Sequence, residues 1–122
     1  MNERTELIRK YNDSFRSRVA DPIACQHLID ADLLHIHFTV GIGALTGGGP
    51  GYLEILGAVQ NAEISEGNDP YGEHDFGAFE HKGAKCYWKF DYYDKLKARG
   101  SEDPADLDLT LRVLTIMLAS EY

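Results

Sequence analysis

The chain has 122 residues, 43% hydrophobic and 26% charged, which suits one folded domain rather than a disordered or fibrous chain. With 20 acidic against 12 basic residues the formal net charge is −8, which argues against a general nucleic-acid binder, since that function needs a basic footprint on phosphate. Cys25 and Cys86 form no CxxC pair, so neither a zinc ribbon nor a disulfide framework is indicated, and both thiols are expected free in a reducing cytoplasm. The start, MNERTELIRK, lacks the apolar core of a signal peptide, and the longest apolar stretch, Leu33 to Leu45, is too short to span a bilayer.

In chain order, the first element is expected to be a helix from about Glu3 to Arg18. Leu7, Ile8, Tyr11 and Phe15 make one apolar stripe, Asn2 caps it, and Glu3 and Glu6 suit the positive end of the dipole. Asp21-Pro22 can start a short second helix by the cap-then-proline rule, with residues 23–30 ambiguous. Leu33 to Val40 reads as a strand, with Leu34, Ile36, Phe38 and Val40 on one face and His35, His37 and Thr39 on the other. The glycine-rich run from Gly41 to Gly51 breaks regular structure, and Pro50 opens a helix to about Ala62 with Leu53, Leu56 and Val59 inward.

Asp69-Pro70-Tyr71-Gly72 fits a type I turn. Phe76 to His81 and Ala84 to Tyr93 alternate around Lys82-Gly83 and predict a β-hairpin, with Cys86, Trp88, Phe90 and Tyr92 sharing a face. Asp103-Pro104 then opens a predicted helix running nearly to Tyr122, on a stripe of Leu107, Leu111, Leu114 and Leu118. The expected fold is a single α+β domain over residues 1–122. A small antiparallel sheet of about three strands, including the C-terminal-half hairpin, would pack against N- and C-terminal helices.

The segments NDPYGEHDFGAFE, WKFDYYD and SEDPADLDLTLRVLTIMLASEY stand in order from Asn68 to the C-terminus. Together they resemble a family of short bacterial proteins catalogued as domain of unknown function 3768. Ile8, Asn12, Asp13 and Phe15 also resemble that family's start. The resemblance implies carriage on plasmids and other mobile elements. It implies no activity, treats Asp21 to Asp32 as an addition, and places plain strand residues where this chain has His35 and His37.

The densest chemistry lies in NDPYGEHDFG, residues 68–77. His74 can serve as a general base or metal ligand, oriented by Asp69, Glu73, Asp75 or Asp91. The alternative is a corner in which Asp69 to Gly72 turn the chain, Asp75 caps exposed amides and His74 ties the turn to the neighbouring strand. Asp91 and Tyr93 share the face opposite Trp88, and with Asp69, Tyr71, Glu73, His74, Asp75 and Asp94 they compose a protein-binding patch of acids and tyrosines. His35 and His37 project the same way from a strand and can ligate one metal, with Glu73, His74 or Asp75 completing the set, or simply face solvent. No GxGxxG, Walker loop or GxSxG elbow occurs.

Two functions follow as expectations. The first is an acidic, non-enzymatic interaction protein without a cofactor, an accessory factor of a mobile element that binds and inhibits a host protein such as a defence nuclease. Its partner would carry a basic, nucleic-acid-binding surface, with no direct contact to nucleic acid or membrane. The alternative is a small metal-dependent or acid–base enzyme, hydrolase-like, centred on His74 with Glu73, Asp75 and Asp91, in which a divalent metal is the cofactor. An exposed sheet face leaves room for a homodimer.

Overall fold

The structure is a computed structural model that describes residues 2–122. Helix α1 (Glu3–Arg16) begins where the Asn2 side chain accepts a hydrogen bond from the Thr5 amide at 2.7 Å, and its buried face carries Ile8, Asn12 and Phe15. Asp21 caps α2 (Pro22–Asp30), so the cap-then-proline signal does start a helix. Strand β1 (Leu34–Phe38) is shorter than the apolar run suggested. Thr39 turns the chain by capping α3 (Val40–Thr46), and Gly47, in the left-handed region at φ 69°, ends that helix. The glycine-rich run is therefore half helical. In α4 (Pro50–Asn61) Ile55 and Val59 are buried and Leu53 is exposed, a correction to the expected inward face.

Strands β2 (Phe76–His81) and β3 (Ala84–Tyr93) form the expected hairpin. Lys82 and Gly83 both hold positive φ, as a two-residue turn matched to strand twist requires. The expected C-terminal helix is not formed: residues 111–118 are strand β4 (Leu111–Leu118). Asp103-Pro104 does what its chemistry dictates for one turn only. Asp103 caps the Ala105 amide at 3.1 Å and its carbonyl accepts from Asp106. The chain then becomes extended, because LRVLTIML buries residues on both faces as the inner strand of a sheet, where β-branched Val113, Thr115 and Ile116 pack well.

The sheet has four strands in the order β1-β4-β3-β2, with β1 parallel to β4 and the other pairs antiparallel. Its inner face carries Leu34, Trp88, Phe90, Leu114 and Ile116, which form the core with Phe15, Leu28, Ile42, Ile55 and Val59 of the four helices. This is an α+β domain of two layers. The outer face bears His35, His37, Tyr93, Val113 and Thr115, and among the described residues no helix packs on it. Tyr122 covers only one corner, against Phe76 and Tyr87. Glu121 fastens the C-terminal turn to α3, accepting from Thr39 Oγ1, the Gly41 amide and the Leu118 amide. Among the described residues no helix is long and apolar enough to cross a membrane.

Candidate functional site

The expected type I turn is present: the Gly72 amide donates to the Asp69 carbonyl at 3.2 Å. His74 follows at φ 54°, a left-handed conformation that costs a side-chain-bearing residue free energy unless its surroundings hold it. Three contacts do so. The His74 amide donates to Asp69 Oδ1 at 3.0 Å, ring Nδ1 lies 2.8 Å from Asp13 Oδ1, and ring Nε2 lies 3.5 Å from Asp69 Oδ2. His74 thus ties the turn to α1, rather than to the neighbouring strand. Asp13 is the partner that sequence reasoning did not assign.

Next to it, α1 reaches the sheet through Asn12, which is fully buried. Its Nδ2 donates to the Glu73 carbonyl at 3.0 Å and to Tyr92 Oη at 2.8 Å, while its Oδ1 accepts from Arg112 Nε at 2.7 Å. Tyr92 in turn donates to Glu73 Oε1 at 2.8 Å, and burial pushes its phenol far up. Arg112, also fully buried, donates from Nη2 to the Pro104 carbonyl, and its guanidinium sits 5.0 Å from the Tyr92 ring centroid and 5.6 Å from those of Tyr11 and Phe15. Burial lowers its pKa from the usual value, which the nearby Tyr92, Tyr11 and Glu73 oppose. Nη1 has no hydrogen-bond partner and is enclosed by this aromatic cage, so ring quadrupoles take the place of an acceptor. Arg112, Asn12, Tyr92 and Glu73 are therefore joined into one internal polar network.

The other candidates lie elsewhere. Asp75 and Asp91 line a hollow of about 390 Å³ with Asn68, Lys89 and Tyr122. Asp91 pairs with Lys89 at 3.1 Å. Burial, then Glu73, and more weakly Asp69 and Asp91 raise the Asp75 carboxyl above the ordinary aspartate range. Among the described residues the Asp75 side chain caps no other residue's amide; Asp69 performs that role for His74. Asp94 caps the Ala98 amide at 2.9 Å, and Tyr71 is exposed. His35 and His37 stand on the outer face with Tyr93, around a second hollow of about 370 Å³ that also holds Lys97, Val113 and Thr115. Burial, Lys97 and His37 lower the His35 pKa. None of Glu73, His74 and Asp75 lines this hollow, and among the described residues no group of three or more His, Cys, Asp or Glu can hold a metal ion. The joint metal set expected from sequence is thus not assembled. Cys25 and Cys86 are free and buried, and burial pushes both thiols up, away from reactivity.

A broad, open groove was not anticipated. It encloses about 610 Å³ between α1 and the loop that precedes β4, with Glu3, Asp103, Asp106 and Asp108 at its rim and Leu7, Tyr11 and Leu107 among the residues lining it. Arg4 is its one base, and Arg4 is paired with Asp103 at 3.0 Å.

No curated protein and no solved structure matches the chain. The family described as protein of unknown function (DUF3768) matches over residues 38–121, which takes in every element from the end of β1 to the C-terminal turn and leaves α1 outside. On the strength of that match, the chain belongs to the DUF3768 family.

Proposed function

We propose that this protein is a non-enzymatic interaction module that takes a basic, partly apolar segment of a partner protein into the groove between α1 and the 103–108 loop. The observation that carries this reading is the chemistry of the groove: apolar side chains bordered by carboxylates, with its single arginine already neutralised. Buried apolar contact supplies affinity, and the acidic rim supplies approach rate and selectivity. A net charge of −8 extends the same field beyond the groove. A mobile-element accessory factor that inhibits a host nucleic-acid enzyme is the narrower form of this proposal, since such enzymes carry basic surfaces. His74 and Glu73 support it indirectly, because their side chains are engaged, His74 with Asp13 of α1 and Glu73 with Tyr92 of β3.

The test is fluorescence anisotropy with peptides that alternate Arg or Lys with Leu or Phe, at low and high salt, on wild type and on Glu3→Lys with Asp108→Lys. Binding that weakens with salt and falls at least tenfold in the double reversal is expected. Binding indifferent to both changes would sink the proposal.

Asp75 favours a second reading. A carboxyl whose pKa is raised by burial and by Glu73, beside Lys89 and Asp91 in an open hollow, has the makings of a general acid. The enzyme reading would then centre on Asp75 rather than His74.

A further inference from the structure

Strand β1 is at one edge of the sheet, and among the described residues no strand pairs with its free side. Its ladder with β4 fixes which groups are left over. The Leu33 carbonyl accepts from Arg112 and the Thr39 amide donates to Ile116, so the odd-numbered residues direct their backbone groups at β4 and Ile36 directs its own outward. His35 and His37 are exposed, and both project from the uncovered outer face. Two imidazoles two residues apart on a strand are half of a tetrahedral nitrogen site. Among the described residues nothing supplies the other half, because the remaining side chains of that hollow are Tyr93, Lys97, Val113 and Thr115.

A second copy supplies it by symmetry. If two β1 strands pair antiparallel about Ile36, the two Ile36 residues exchange their free amide and carbonyl bonds. His35 of one copy then stands opposite His37 of the other, twice, on one face of the joined sheet. These are the non-hydrogen-bonded positions, where Cα atoms approach to about 4.5 Å and side chains are closest. We propose that His35 and His37 bind a divalent metal ion of the zinc type, completed by the same two histidines of a second copy, so that the metal closes a dimer through the β1 edges. Zinc suits four neutral imidazoles in tetrahedral array. Two five-residue strands meeting edge to edge bury too little surface to hold a dimer alone, and the metal is what makes the contact stable.

The experiment is sedimentation velocity on untagged protein in EDTA and in graded zinc, with bound metal measured alongside. Monomer in EDTA, doubling of mass in zinc, and one zinc per two chains are expected. His35→Asn and His37→Asn should each lose both the metal and the dimer, while His27→Asn, on the exposed face of α2, keeps both. Cobalt in place of zinc should give the visible absorption of a tetrahedral nitrogen site. A dimer that persists in EDTA, zinc bound one per chain without change of mass, zinc retained in either β1 variant, or no zinc bound would each overturn the proposal.

Discussion

Replacing Asn12 by alanine would remove a side chain whose three hydrogen bonds join Arg112, Tyr92 and the Glu73 carbonyl. Tyr92 keeps its bond to the Glu73 carboxylate, so two groups are orphaned: the Glu73 carbonyl and the Nε of a fully buried guanidinium. An unsatisfied buried neutral group costs about 1–3 kcal/mol and a charged one more. With the small void left by the amide, the loss is roughly 3–5 kcal/mol, a large fraction of the 5–15 kcal/mol that ordinary domains possess. Urea denaturation followed by tryptophan fluorescence measures it, through a lower midpoint at unchanged slope. Asn12→Asp is the informative companion: it restores an acceptor for Arg112 but offers no donor to the Glu73 carbonyl. A midpoint for Asn12→Ala within about 1 kcal/mol of wild type would refute the view that this network fastens α1 to the sheet.

Three further perturbations have definite outcomes. Arg16 donates from Nη1 to the Val59, Gln60 and Ala62 carbonyls at the C-terminal end of α4 and lies 4.7 Å from the Trp88 ring centroid, so Arg16→Ala should cost about 2–3 kcal/mol and Arg16→Lys should not rescue it. Hydrogen exchange should show the last turn of α4 losing protection first. At Gly77 an added Cβ would lie 2.5 Å from Trp88 Cζ2, so Gly77→Ala should destabilise by about 1–3 kcal/mol and alter the near-ultraviolet tryptophan signal; an unperturbed signal counts against that packing. Because burial and Glu73 raise the Asp75 pKa in the fold, its protonated form is the one the fold prefers. That contribution is complete below the unfolded value near 3.8 and is lost as pH rises through the folded value. Asp75→Asn should therefore be more stable than wild type at pH 7 and converge with it near pH 3, whereas a constant difference across denaturation curves at pH 7, 5 and 3 would refute the assignment.

The parts of the fold that could be read from sequence are those that local chemistry decides. Asn2 and Asp21 started helices by capping them, Pro50 opened one as its first residue, and Lys82-Gly83 joined two alternating runs. Strand β4 was misread because its neighbours decide it. Leu107, Leu111, Leu114 and Leu118 have helical spacing, yet an inner strand that buries residues on both faces is also a nearly continuous apolar run, and periodicity cannot separate the two. The outer-face residues Val113, Thr115 and Met117 alternate with Arg112, Leu114 and Ile116, which is the strand signal in retrospect. At the site, Asp69, Glu73 and His74 were singled out, whereas Asn12 and Asp13 entered only through the resemblance of the opening helix, and Arg112 not at all. Asn12 interrupts the stripe of Ile8 and Phe15 at core spacing, and Arg112 interrupts an apolar run. A polar residue in an apolar position announces a buried partner, although the distance to that partner in sequence hides its identity.

The strand order has a consequence for assembly of the chain. The β2–β3 hairpin closes over a two-residue turn and can form as soon as its residues are available. Strand β1 is made before the hairpin but has no partner until β4 arrives to lie between them. Until then β1 has two bare edges, and the helices have only half a sheet to cover. Long loop closures of this kind slow folding and leave intermediates open to wrong pairings. The final strand therefore acts as a keystone, and truncations within 111–118 should leave a collapsed, helix-containing chain without cooperative unfolding rather than a smaller stable domain.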